Sequence, residues 1–388
     1  MGICNYNNFT EEKIELKMGN QPKIYNRNIR LLNLFNNNNN KNKNGNILKK
    51  KKVENKLSIE TSEKAILFSV HEKGKNKNIF GLKNIGLTCY MNSFLQLLFH
   101  CPKFLTELKK FEDEVKYGNI IRRLINIAKY PENESNLYLF KDSLKNISQK
   151  YSEFSQNDSQ IFGKDLINHI IAEIKNEKSY LTSENISETN NSSAINPEEE
   201  YKIFLEKYQN DLISLEKMFL INEYRIYAKK YNEEIRFEAS LDISLIIPNK
   251  NNGPFNEIKY NLKELLDYKY KTSKKNCLEI KLCNFPDILI ITIIRTILGE
   301  KNNLCNIEYP EILELKEYAD NKITNFDKSE YVLFGVNKKA GYNKESGHYF
   351  CEVKINNIWY EFNDSKVTSN INFKNVSAQA VGLFYAKK

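Results

Sequence analysis

The 388-residue chain reads as α+β, helices first and strands later, with any active site lying between the two halves. Three observations predict this class. Apolar residues recur at helical spacing in segments up to Phe219; runs rich in aromatic and aliphatic residues dominate from Ile235; and two late runs, Tyr349 to Ile355 and Ile358 to Phe362, are separated only by Asn356-Asn357.

Residues 1 to 79 stand apart. They hold an asparagine tract, Asn36 to Asn40, and a lysine run, Lys49 to Lys52. Such sequence buries too little apolar surface to offset chain entropy, so a largely disordered tail is expected, with Ile29 to Phe35 and Ala65 to Val70 able to dock. The polar turn Gly86-Leu87-Thr88 then gives way to Phe94, Leu95, Leu98 and Phe99, a helix that should stop at His100-Cys101, because Pro102 disfavours helical geometry in the residue before it. Residues 103 to 150 are charged and intermittently apolar, as in surface helices, and Phe162, Leu166, Ile170 and Ile174 mark a helix with one buried stripe. A loop or insertion is expected over 182 to 200, and helical spacing returns from Tyr201 to Phe219. The run Ile288 to Leu298, interrupted by Arg295, is a buried strand, too short to span a bilayer.

Hydrophobic residues make up 41% of the chain and aromatics 12%, enough for a core. The tail carries 16 Lys+Arg against 7 Asp+Glu, the whole net charge of +9, so residues 80 to 388 are neutral with 42 of each sign. A neutral folded part lacks the basic stripe of a nucleic-acid-binding face. Seven cysteines in no regular framework suit a reducing, cytoplasmic setting; the lysine run is the one feature pointing to the nucleus, and a solvated charge run is its default reading. Met1-Gly2-Ile3-Cys4 offers Gly2 and Cys4 for lipid anchoring, but Tyr6 stands where the signal wants Ser or Thr.

The chemistry sits at both ends of the folded part. Cys89 opens a helix, where the dipole and unpaired amides should favour thiolate. His348 begins the late hairpin. If Ile355 faces Ile358, Phe350 faces Asn363, and His348 and Asn363 become diagonal neighbours, roughly 7 Å apart at Cβ and within hydrogen-bonding reach. A Cys-His pair needs a third group to hold the imidazole tautomer, and Asn363 or Asp364 can do so. Cys101, Cys283, Cys305 and Cys351 read as small core residues, and His71, His100 and His169 as surface or core histidines.

These residues resemble the ubiquitin-specific protease family. Its cysteine motif is approximately GLxNxGxTCYMNSxLQxL, and here it reads GLKNIGLTCYMNSFLQLL from Gly81; its histidine motif is matched by Gly347-His348-Tyr349, Trp359-Tyr360 and Phe362-Asn363-Asp364-Ser365. SQNDSQIFGKDLINHI from Ser155, FEASLDISLIIP, FPDILIITIIR and AVGLFYAKK follow in order, so the likeness covers residues 80 to 388. It implies a papain-like cysteine protease fold of thumb, palm and fingers and a thiol deubiquitinase acting on ubiquitin and ubiquitinated proteins. Cys89 would be the nucleophile, His348 the base and Asn363 the third member with Asp364 assisting. Asn84 would be the oxyanion donor, and Gln156, Asp158, Gly347 and Tyr349 would meet the ubiquitin tail, Gly347 by letting it pass close to the backbone.

Three departures qualify the resemblance. Many members hold their fingers with zinc on two Cys-x-x-Cys pairs; here YAKKY from Tyr227 replaces the first and Cys277 stands alone near the second, so fingers without zinc are expected. Ile161 stands where the family usually has a Glu that holds the basic tail, and Thr292-Ile293-Ile294-Arg295-Thr296 replaces His-Leu-Lys-Arg-Phe. These leave open a ubiquitin-binding scaffold without turnover, or a protease for a ubiquitin-like modifier.

Overall fold

The computed structural model describes residues 79–388 apart from 113–119, 176–186, 189–195, 209–211, 229–232, 249–258, 273–276, 296–303, 325–327 and 342–346. The expectations for the tail, including Gly2, Cys4, Lys49 to Lys52 and His71, lie outside the described residues. The helical half comprises α1 (Cys89–Phe99), α2 (Phe104–Lys109), α3 (Ile120–Lys129), α4 (Glu134–Ser143), α5 (Gln149–Ser152) and α6 (Ser159–Lys175). Then come β1 (Ser187–Glu188), α7 (Pro197–Tyr208), α8 (Ser214–Phe219), β2 (Ile221–Ala228), β3 (Glu233–Ser240), β4 (Ile243–Ile246), β5 (Lys259–Asn261), α9 (Leu262–Tyr270), β6 (Cys277–Leu282) and β7 (Ile288–Ile294). The chain closes with β8 (Asn306–Glu308), β9 (Ile312–Glu314), β10 (Glu330–Ala340), β11 (His348–Ile355), β12 (Ile358–Asn363), β13 (Lys366–Ser369), β14 (Val376–Ser377) and β15 (Ala380–Lys387).

Helix α1 is apolar nearly all round, and all eleven of its residues are buried, as a helix without a polar face must be. It ends at Phe99 with His100 at the C-cap, where Pro102 predicts the stop. Gly163 lets α6 lie against it, since a Cβ there would meet the Phe94 ring 2.0 Å away. On its other side the Phe94 ring meets Phe384 of β15 edge-on, 5.5 Å between centroids. The surface helices α2 to α4 bury one stripe of the amphipathic pattern, with Phe104, Leu108, Ile121, Leu124 and Phe140 fully enclosed.

An eight-stranded sheet runs β13-β12-β11-β10-β15-β7-β4, with β9 against β10; only β4 to β7 is parallel within it. A four-stranded sheet, β1-β3-β2-β6, and a three-stranded one, β14-β8-β5, complete the strands described. In the β11–β12 hairpin Ile355 pairs with Ile358 and Cys351 with Phe362, the register expected from the two-residue turn. Asn356 and Asn357 both take positive φ, 50° and 65°, as a type I′ turn demands.

Three boundaries differ from the sequence expectations. The loop expected through residue 200 ends early: α7 starts at Pro197, with proline in the first turn followed by Glu198, Glu199 and Glu200, the charge that the helix N-terminus favours. Strands begin before Ile235, with the short β1 and then β2 from Ile221; β2 pairs along its whole length with β3, its alternation hidden because most of its residues are buried. Within the strand-rich half, α9 is a helix whose start is fixed by a capping box, Asn261 accepting from Glu264 N and Glu264 from Asn261 N. No helix among the described residues is long and apolar enough to cross a membrane.

Candidate active site

Cys89 is the first residue of α1 and is 3% exposed. The preceding turn is built by Asn84, whose Oδ1 accepts from the N–H of Gly86 (3.2 Å) and of Thr88 (3.1 Å) and from Thr88 Oγ1 (3.3 Å). Gly86 has φ +111°, which its lack of a side chain permits, and Leu87 is left-handed at 53°. The expectation that the helix N-terminus would favour thiolate fails in the free protein. Burial pushes the Cys89 thiol up from its ordinary value, outweighing the Tyr349, Tyr90 and Cys89 backbone amides aimed at the sulfur, and the Asp364 carboxylate adds to the rise.

The sulfur therefore faces the N–H of Tyr349, the residue after His348. His348 Nε2 lies 2.6 Å from Asn363 Oδ1 across the hairpin. A carbonyl oxygen only accepts, so Nε2 carries the proton in the neutral ring and Nδ1 is left with its lone pair.

Asp364 does not share that task. Its carboxylate accepts from Asn84 Nδ2 at 3.0 Å and Asn92 Nδ2 at 2.8 Å, and its carbonyl accepts from Leu82 N at 2.9 Å. Asp364 is left-handed, φ 52°, and Gly81 fits beneath it because a Cβ there would lie 2.3 Å from Ser365 O. The turn carrying Asn84 and the strand end carrying Asn363 are thus tied by one carboxylate. Asn92, which no reading of single residues singled out, completes the tie; its place in the cysteine motif was the only signal.

Residues 80–385 match the family model of the ubiquitin carboxyl-terminal hydrolase. The chain belongs to this family. It is 23% identical over 340 residues to the ubiquitin carboxyl-terminal hydrolase Usp2 of Drosophila melanogaster, covering 81% of this chain and 35% of that one. It is 37% identical over 83 residues to ubiquitin carboxyl-terminal hydrolase 42 of Homo sapiens, covering 21% and 6%. The chain thus spans about a third or less of the length of these two relatives. In three dimensions it resembles a chain of the SAGA Ubp8/Sgf11/Sus1/Sgf73 DUB module bound to ubiquitin aldehyde, with TM-score 0.60, 21% identity, and 82% and 71% of the two chains covered. That likeness establishes the papain-like fold of the hydrolase family.

A cleft of about 510 Å³ runs from Tyr349 between the start of α6 and the ends of β4 and β7. Gln156, Asp158 and Tyr349 line it, together with Ile161, Thr292 and Ile294. Asp158 caps α6, its Oδ1 accepting from Gln160 N (2.9 Å) and Ile161 N (3.0 Å), while Oδ2 accepts from Tyr349 OH at 3.2 Å. Burial lowers the Lys339 ammonium at the cleft, against the pull of Asp158 and Cys89. Gly347 is closely packed against its own sheet: a Cβ there would meet Ala340 O at 2.7 Å and the Lys339 side chain at 2.8 Å. Ser346 and Thr296 lie outside the described residues.

The cysteines present do not fit a four-sulfur zinc site in the fingers. Cys277 pairs with Tyr227 across β6 and β2 and shares a buried cluster with Cys305, Ile307 and Tyr309, whereas Cys283 lies in a different cluster with Phe204 and Phe237. Helix α7 and the four-stranded sheet cohere through Tyr201, Phe204 and Phe237, with Phe204 stacked on Phe237 at 5.2 Å, and through Arg225–Glu238 at 2.9 Å. His100 and His169 have structural partners, Gln96 O and Glu173.

Proposed function

We propose that residues 80–388 form a thiol-dependent deubiquitinase that cleaves after the terminal glycine of ubiquitin, with Cys89, His348 and Asn363 as its triad. The observation that carries this reading is the 2.6 Å contact of His348 Nε2 with Asn363 Oδ1, which leaves Nδ1 with the lone pair that a general base needs. Because burial keeps the thiol protonated, His348 acts as a true general base when substrate seats. The thiolate attacks the glycine carbonyl. Asn84 Nδ2 has two N–H groups, one given to Asp364, and the other with the Cys89 amide meets the oxyanion, each donor contributing about 3 kcal/mol in comparable sites. The imidazolium then protonates the leaving lysine amine, and water, deprotonated by His348, hydrolyses the thioester.

Gln156, Asp158, Gly347 and Tyr349 guide the ubiquitin tail along the cleft, and the fingers work without zinc. Reaction with ubiquitin bearing a C-terminal electrophile, beside Cys89→Ala, tests the reading: an adduct lost in the variant supports it, and a folded protein that binds ubiquitin without any adduct makes it a scaffold. A second reading, a ubiquitin-like modifier as substrate, is favoured by Ile161, which is 51% exposed in the cleft and offers a cationic tail no charge. The same probe on ubiquitin-like proteins decides between them.

A further inference from the structure

Lys141 of α4 is 5% exposed, yet among the described residues no carboxylate pairs with it. Its Nζ donates to the carbonyl of Tyr151 and, at 2.8 Å, to that of Glu153, and lies 3.4 Å from Tyr90 OH. Burial lowers this lysine to about 8, with Glu153 opposing the shift. A group held in its charged form at such a cost invites the question of what the charge does. Stability from this site rises with pH between about 8 and the ordinary lysine value of 10.5, since the unfolded chain there binds more protons. The fold therefore favours the neutral amine over the ammonium, while the two carbonyls need a donor at this point.

The two carbonyls belong to the root of a segment that reaches both walls of the active site. From there Phe154 lays its ring on Gly86, whose Cβ would come within 2.5 Å of it, beside the turn that presents Asn84. Gln156 and Asp158 then line the cleft, and the Asn157 side chain bonds to Tyr90 next to the nucleophile. The segment's other side-chain ties include two to its own root: Ser155 Oγ donates to Lys150 O at 3.2 Å and Asn157 Nδ2 to the same carbonyl at 3.4 Å. Asn157 Nδ2 is turned back to Ser155 O at 3.2 Å, and Glu153 and Phe154 are exposed.

We propose that Lys141 is a positioning residue for catalysis. Its ammonium pins the Tyr151–Asp158 segment against Tyr90, so that the substrate-tail wall is set before the tail arrives. This rests on the proteolytic reading of the site. Asn84 is held independently by Asp364 and Thr88, so loss of the lysine should weaken tail binding far more than the chemical step.

The test uses the full chain and its Lys141→Met, Lys141→Gln and Lys141→Arg variants with a fluorogenic ubiquitin C-terminal amide, plus hydrogen exchange over residues 151–158. The methionine variant should raise KM about tenfold while kcat stays within about threefold, with faster exchange confined to the segment; arginine, which keeps the charge and the donors, should bring KM back toward wild type. The glutamine variant takes the place of the methionine one if the latter does not fold. An unchanged KM, a loss confined to kcat, or an arginine variant no better than the neutral one overturns the proposal. If the wild type cleaves no ubiquitin substrate, the proteolytic reading fails, and exchange alone decides: unchanged exchange in a folded neutral variant overturns the role of Lys141, and a loosened segment sustains it.

Discussion

Asp364 and Asn84, 280 positions apart, are joined carboxylate to amide at 3.0 Å. The residue beside the histidine's partner thus holds the turn that carries Asn84. Because Asp364 also holds Asn92 on α1, it fixes the angle between the cysteine helix and the hairpin that carries His348.

Asp364→Ala should therefore act on the chemical step. Asn84 would lose the acceptor that orients its amide, and a single misplaced oxyanion donor typically costs 10²-fold or more in kcat. The expected outcome is a kcat lower by roughly 10²-fold with KM within a few fold. Asp364→Asn, which keeps one acceptor but loses the charge assistance, should fall between. A variant whose KM rises while kcat holds would place Asp364 in tail binding instead.

Asn363 makes a different prediction. Alanine there leaves His348 without the acceptor that selects its tautomer, and kcat should drop by roughly 10²-fold or more. Aspartate supplies an acceptor and a charge that favours the imidazolium, so Asn363→Asp should retain most activity while the acid limb of kcat/KM moves to higher pH. A pH–rate profile identical to wild type would mean that the 2.6 Å contact does not govern the histidine during turnover.

Cys89 gives a pH test in the free protein. With burial raising its thiol above 9.0, the neutral form dominates at pH 7. The rate of Cys89 alkylation by iodoacetamide, read site by site by mass spectrometry, should keep climbing past pH 9. A plateau reached below pH 7 would reveal a preformed thiolate–imidazolium pair and remove the general-base step.

What was legible in the sequence follows from the range of the interaction concerned. The hairpin register could be read because Asn356-Asn357 allows only one tight turn, and with it came the diagonal nearness of His348 and Asn363. Helix α1 was legible because its neighbours Thr88 and Pro102 punctuate it. The protonation of Cys89 was not, since desolvation depends on what the whole fold packs over the sulfur, whereas the helix dipole is local and visible. Asn92 and Lys141 were missed for the same reason: their partners, Asp364 and Tyr151, are brought to them only by tertiary contact. The strand β2 escaped because burial on both sides removes the alternation that betrays a strand.

Ile161 offers the sharpest test of substrate. It lies in the first turn of α6, is 51% exposed and lines the cleft, one helical turn before Lys164, which is itself tied to Asp242 at 3.2 Å. Ile161→Glu would put a carboxylate where the helix N-terminus favours one, so the change should cost the fold little. A basic ubiquitin tail passing Asp158 would then meet two acids in place of one. Exposed ion pairs contribute up to about 1 kcal/mol, so KM for ubiquitin substrates should fall by up to about fivefold with kcat unchanged, and less so at high salt. A modifier with an uncharged side chain at that point of its tail should gain nothing. If KM for ubiquitin rises in the variant, the apolar side chain of Ile161 is itself a contact that the natural substrate uses, and the reading shifts toward a modifier with an apolar tail.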